Sequence, residues 1–182
     1  MSHLISLAPT GRAKCKSCKA PIQKGELRLG EAVPNAFGEG EARHWYHLSC
    51  GAERRPEAFQ AAQAVLEDPL VERDELLRRS ATGLEHPRWT RVVRVERASS
   101  GRARCRHCKD LIEKGGLRLT LEIIEDGMAN PAGFVHPSCM LGYGGTIEGL
   151  VERVARATPL ENAERAELEQ GLLSGTLSPK DP

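Results

Sequence analysis

Apolar and polar residues alternate strictly along Leu117-Arg118-Leu119-Thr120-Leu121-Glu122-Ile123, the two-residue period of a half-buried strand. The leucines then face a core, and Arg118, Thr120 and Glu122 share the opposite face. Leu27-Arg28-Leu29 starts the same pattern earlier in the chain, and Val92, Val93 and Val95 mark an opening strand over 91–97. The Gly/Pro/Asn-rich stretches 34–40 and 126–133 read as loops. Ile147, Leu150, Val151 and Val154 switch to helical spacing, with Thr146 as a cap. Thr158-Pro-Leu-Glu161 reads as a capping box opening another helix. Phe59, Ala62 and Leu66 share the helical spacing, and Asp68-Pro69 reads as the start of a further helix.

These elements recur because the chain repeats itself. Gly11-Arg-Ala-Lys-Cys15-Lys-Ser-Cys18-Lys aligns with Gly101-Arg-Ala-Arg-Cys105-Arg-His-Cys108-Lys, 90 residues on. The match runs through Ile22, Lys24, Gly25 and Leu27 onto Ile112, Lys114, Gly115 and Leu117, and His47-Leu-Ser-Cys50 returns as His136-Pro-Ser-Cys139. Self-similarity at a fixed period signals duplicated units. The join falls near Ala81–Pro87, which gives two domains, 1–84 and 88–182, each with strands first and helices second. The expected class is α+β: two small metal-stabilised modules, each a short antiparallel sheet followed by helices.

At 182 residues, each half is small enough to bury proportionally little surface, and only 4% of the chain is aromatic, so neither half can build its core around large rings. No stretch approaches the roughly 20 apolar residues of a membrane span. The N-terminus carries no basic region and no long apolar run of the secretory type, so a soluble intracellular protein is expected, without structural disulfides. Two small modules leave no room for a nucleotide-processing catalytic domain, and neither an enzyme activity nor a small-molecule substrate is expected.

All six cysteines lie inside the repeat. Each copy offers Cys-x2-Cys, just under thirty residues, then His-x2-Cys: Cys15, Cys18, His47 and Cys50 in the first, Cys105, Cys108, His136 and Cys139 in the second. Three thiolates and an imidazole suit a closed tetrahedral zinc site, with Zn–S about 2.3 Å and Zn–N about 2.0 Å. Four protein ligands leave no open position for water, so two structural Zn2+ ions are expected. A single Cys-x2-Cys would also fit a thiol redox pair. Two copies, each with its own His-x2-Cys and no cysteine left over, favour zinc. His3, His44, His86 and His107 read as surface residues or as neighbours of the ligands.

The net charge of +1 hides a segregated distribution. From Arg12 to Arg28 six basic residues stand against Glu26 alone, and from Arg102 to Arg118 six stand against Asp110 and Glu113, while the C-terminal helix is acidic. Local basic patches on a neutral chain suit phosphate contact.

The run Gly-Arg-Ala-x-Cys-x2-Cys, then Ile-x-Lys-Gly-x-Leu-Arg, then His44-Trp-Tyr-His47-x2-Cys50 resembles the PARP-type zinc finger, over roughly 3–52 and 92–142. That module occurs in tandem in poly(ADP-ribose) polymerase and singly in a nuclear DNA ligase. The resemblance implies recognition of DNA strand breaks by structure, with repair proteins as further partners. It implies phosphate-gripping arginines at Arg12, Arg28, Arg102 and Arg118. It also implies base-stacking residues in the loop before the histidine ligand, matching Phe37 and Ala42 in copy one and Met128 and Pro131 in copy two. Copy two departs by carrying Gly133-Phe134-Val135 in place of His-Trp-Tyr, with a loop one residue shorter. The polymerase's catalytic part has no counterpart. A nuclear location follows if the source is eukaryotic, a nucleoid-associated one if bacterial. A zinc-stabilised platform for protein or RNA is the rival reading.

Overall fold

A computed structural model describes residues 2–35, 38–125 and 127–175. The chain divides into two compact units, one ending at Glu85 and the next beginning at His86, with Ile124–Met128 grouped with the first.

In the first unit β1 (Leu4–Leu7), β2 (Leu27–Pro34) and β3 (Glu41–His47) form an antiparallel sheet in the order β1-β2-β3. Leu29 pairs with both Ile5 and Tyr46, and Arg28 pairs with Ser6 on one side and His47 on the other. Helices α1 (Leu48–Arg54), α2 (Pro56–Ala64) and α3 (Arg73–Glu85) follow. Ile22, Leu29, Ala52, Tyr46 and Phe59 are fully or nearly fully buried. Charged side chains sit inside as well: Arg28, Glu31, Glu53 and Arg54 are each buried. Glu31 accepts from Arg55 Nε at 2.6 Å and from the Tyr46 hydroxyl at 3.2 Å, and Glu53 accepts from Arg79 at 3.0 Å. Burial together with the Glu31 charge pushes the Tyr46 phenol far above its ordinary range.

The second unit repeats the plan. A 3-10 turn at Trp89–Arg91 leads into β4 (Val92–Arg97), which pairs with β5 (Leu117–Glu125), and β6 (Met128–Val135) completes the order β4-β5-β6. Then come a 3-10 turn at Pro137–Cys139, α4 (Met140–Gly144), α5 (Leu150–Ala157) and α6 (Asn162–Leu173). Leu119, Leu121, Ile112 and Val135 pack with Trp89, Met140, Leu150 and Leu168. Both units are therefore α+β with a three-stranded sheet. Each does enclose one or two large rings, Tyr46 and Phe59 in the first and Trp89 in the second, contrary to the expectation from aromatic content.

Several local expectations shift. Of the stretch 126–133, read as a loop from its composition, residues 128–133 lie in strand β6 (Met128–Val135). β6 lies at the edge of its sheet, the position in a sheet that tolerates a proline such as Pro131. Arg118 and Thr120, placed on the outer face by the alternation, are each only 8% exposed. The helix expected from Pro69 begins at Arg73, because Glu72 sits at φ 58°, outside helical space. Thr158 terminates α5 and does not open α6, whose capping box is formed by Glu161 and Glu164. Thr146 instead accepts the Glu148 N–H at 3.1 Å, and α5 starts after Gly149.

Candidate metal centres and nucleic-acid interface

Both Cys-x2-Cys segments fold into the same knuckle. In the first the Cys15 N–H donates to Ala20 O at 2.9 Å and the Lys19 N–H to Cys15 O at 3.0 Å. In the second the Cys105 N–H reaches Asp110 O at 2.9 Å and the Lys109 N–H reaches Cys105 O at 3.1 Å. Lys19 and Lys109 take left-handed backbone, φ 65° and 71°, and each swings its amine back 2.7 Å onto the carbonyl of the residue three before it. These bonds fix the two cysteines of each pair on one side of a tight turn. The knuckles then dock on the sheet, Lys16 N–H to Trp45 O at 2.9 Å and Arg106 N–H to Phe134 O at 2.8 Å. That brings the strand-end histidine and the cysteine three residues on against the pair.

Cys15, Cys18, His47 and Cys50 form one cluster, and Cys105, Cys108, His136 and Cys139 the other, with all ligand atoms within 4.8 Å of one another. His47 Nδ1 is 3.3 Å from Cys18 Sγ and 4.0 Å from Cys50 Sγ, and His136 Nδ1 is 3.5 Å from Cys108 Sγ and 3.9 Å from Cys139 Sγ. A tetrahedral zinc with ordinary bond lengths puts sulfur and nitrogen about 3.5 Å apart, so both donor sets fit the ion. Zinc held by three thiolates and one imidazole is a structural brace, and these eight residues hold two such ions. With Nδ1 aimed at the metal, His47 Nε2 carries the proton and donates to Pro21 O at 3.2 Å, which orients the ring. In the second centre the N–H groups of His107 and His136 donate to Cys105 Sγ at 3.4 and 3.5 Å.

The electrostatics are those of a set gathered for a cation. Hydrogen bonds from Cys18 and Cys50 drive the Cys15 thiol far down, while bonds to Cys15 and Cys18 drive Cys50 far up and raise His47 to about 10. Burial first, then the neighbouring Cys105 charge, raises Cys139 to about 12. The sulfurs cannot all carry charge side by side without a divalent ion between them. The six cysteines are free of disulfides. Neither His44 nor His107 joins a ligand cluster among the described residues.

The arginines divide into two kinds. Arg12 and Arg102 are exposed on the turn just before each knuckle. Arg28 and Arg118 are largely buried, each guanidinium lying flat on a ring: Trp45 at 3.4 Å and Phe134 at 3.6 Å from the centroid. The larger indole fits because Gly30 lies beneath it, where a Cβ would come within 2.7 Å of the ring. Burial lowers the Arg28 pKa. Arg118 additionally meets Glu96, a partner that sequence reasoning missed. The facing register of β4 and β5 was the signal that could have found it.

Of the stacking candidates, Met128 is 57% exposed at the start of β6, Pro131 is exposed on the same strand, and Ala42 is half-buried on β3. Phe37 lies outside the described residues. No helix among the described residues is long and apolar enough to cross a membrane.

Residues 6–82 match the family model described as the poly(ADP-ribose) polymerase and DNA-ligase Zn-finger region. Poly(ADP-ribose) polymerase 1 of Oryza sativa subsp. japonica is 31% identical over 140 residues, covering 74% of this chain and 14% of the relative. The Gallus gallus polymerase 1 is 27% identical over 154 residues, covering 74% and 15%, and the Drosophila melanogaster polymerase 31% over 134 residues, covering 65% and 13%. The chain thus spans a small part of each relative's length, and the matched part is the finger region. Through residues 6–82 the chain belongs to the PARP-type zinc finger family, and its second half repeats the same ligand set in the same order.

Proposed function

We propose that this chain is a non-enzymatic DNA-binding protein that recognises strand breaks by structure, with one zinc finger and its trailing helices in each of 1–84 and 88–182. The observation that carries this reading is the exposed arginine, Arg12 and again Arg102, set on a turn braced by a metal centre at the same place in both units. A guanidinium held that way can grip a phosphate with two donors. A break differs from intact duplex by its bend and its uncovered base-pair faces. Exposed Met128 and Pro131 can cover such a face without the unstacking cost of a few kcal/mol that intact duplex imposes. Arginines then supply affinity and the apolar residues supply selectivity for structure. Arg28, Arg118, Phe37 and Ala42 complete the proposed contact set, and repair proteins are the natural further partners.

The test is affinity for nicked, gapped, blunt-ended and closed circular DNA as salt is varied. Preference for broken forms is expected, and Arg12→Ala or Arg102→Ala should weaken binding and reduce the salt slope by about one. Equal binding of closed circular and nicked DNA would overturn break recognition. The neutralisation of Arg118 by Glu96 favours, for the second unit alone, a rival role as a platform for a protein partner. Loss of the second unit's metal without any change in DNA affinity would support that role.

A further inference from the structure

We infer that the second unit carries a binding pocket, sharing Pro131 with the proposed break contacts, for a nucleoside monophosphate, as the phosphate-bearing end of a strand or as the free nucleotide. A cavity of about 530 Å³ opens between the knuckle, the 3-10 turn before β4, strand β6 and helix α4. Its walls include Arg88, Arg106, His107, Lys109, Pro131 and Tyr143, and among the described residues no acidic side chain lines it. The volume lies in the range of small-ligand sites. A zinc ion with three thiolates carries a net charge of about −1, which one of the neighbouring cations offsets, and the rest remain available to an anion.

This pocket belongs to the second unit because the repeat has diverged where it stands. Counting from the shared ligands, Gly133 and Gly142 replace His44 and Glu53, Tyr143 replaces Arg54, and Arg106 and His107 replace Lys16 and Ser17. Both glycines make room for the walls. A Cβ at Gly133 would lie 2.6 Å from Arg106 Nε, and one at Gly142 would lie 2.7 Å from His107 Nε2. Arg106 is held there by its own Nε, which donates to Ala132 O at 2.8 Å, so both terminal nitrogens stay free to meet phosphate oxygens. Lys109 is fixed by the knuckle, and the Arg88 guanidinium lies 5.8 Å from the Tyr143 ring centroid. Cations, a phenol ring and a proline lining one cavity match a phosphate joined to a flat base, which the ring can stack.

The strand-end source rests on break recognition, whereas recognition of the monophosphate does not. The zinc-loaded full chain is titrated with nicked duplex carrying or lacking a terminal phosphate at the nick, and with thymidine monophosphate or thymidine. The phosphorylated member should bind at least about fivefold tighter in one or both arms. The Arg88→Gln, Arg106→Gln double variant should lose that preference while retaining both zinc ions. A preference confined to nicked duplex assigns the pocket to strand ends. A preference for the free nucleotide in a protein that ignores nicks keeps the pocket and removes the break-binding reading. Equal binding with and without phosphate in both arms, or a preference that survives in the double variant, overturns the inference.

Discussion

Glu96 and Arg118 face each other across β4 and β5, and a single carboxylate oxygen of Glu96 accepts from Arg118 Nε at 3.0 Å and from its terminal nitrogen at 2.6 Å. In the first unit the facing pair is Ser6 and Arg28, and Arg28 has no acidic partner among the described residues. The two stacked arginines are therefore not electrostatically equivalent: one presents a net charge to an incoming phosphate, the other shares it with a carboxylate. Glu96→Ser should raise affinity for nicked DNA and steepen the salt slope by about one, and Ser6→Glu should do the reverse. Salt-dependent fluorescence anisotropy of the two variants measures this directly. Unchanged slopes in both would show that neither stacked arginine meets phosphate.

The same pair sets an acid limit for the second unit. Burial pushes the Glu96 carboxyl up, but hydrogen bonds from Arg118 and Arg94 outweigh it and hold the pKa below its ordinary value. A depressed carboxylate stabilises the fold above the unfolded pKa of about 4.3, and that contribution disappears as pH falls through the lower folded value. Glu96→Gln should cost about 1–2 kcal/mol at neutral pH, since the pair is partly buried, and nothing at the acid end. Urea unfolding of both proteins at a series of pH values checks it. Zinc release acts alike on both, so the difference between them isolates the pair.

The ligand set was legible in the sequence because close spacing survives folding: Cys-x2-Cys and His-x2-Cys each place two donors on one turn, and the duplication says which go together. Strand β5 was legible for its period. What covers its outer face was not, because the ring from β6 and the acid from β4 that lie against Arg118 are both remote in sequence. Strand β6 was hidden for the same reason. Glycine, proline and asparagine weigh against a strand locally, and the pairing with β5 overrides them. The helix starts shifted where a local signal had two uses, as when Thr158 closed α5 and left Glu161 to cap α6.

Glu31 is 2% exposed, and the sequence offers no hint that a carboxylate lies inside the first unit. Its partners are Arg55 and the Tyr46 hydroxyl. Arg55→Ala leaves a buried charge with one neutral donor and should cost about 3–5 kcal/mol in urea unfolding. Replacing both charged partners together, as in Glu31→Gln with Arg55→Met, should cost clearly less than Arg55→Ala alone. A double variant no better than the single one would show that packing around Arg55, and not the charge on Glu31, is what matters there.

The two metal centres should differ in how firmly they keep zinc. In the first, all three cysteines are buried, Cys15 at 1%, Cys50 at 3% and Cys18 at 8% exposure; in the second, Cys105 is buried but Cys108 is exposed and Cys139 half-buried. A chelator or a thiol reagent needs access to a ligand, and Cys108 provides it. Metal release followed with a chromogenic chelator should therefore show two phases of equal amplitude, one zinc each. The fast phase should be accompanied by labelling of Cys108, and the slow one by loss of structure in the first unit, because ligand binding and folding are coupled there. Burying the thiol by a neighbouring change, such as Asp110→Leu, should slow the fast phase alone. A single phase releasing both ions together, with Cys108 no more reactive than Cys18, would mean that exposure of the sulfur does not govern release.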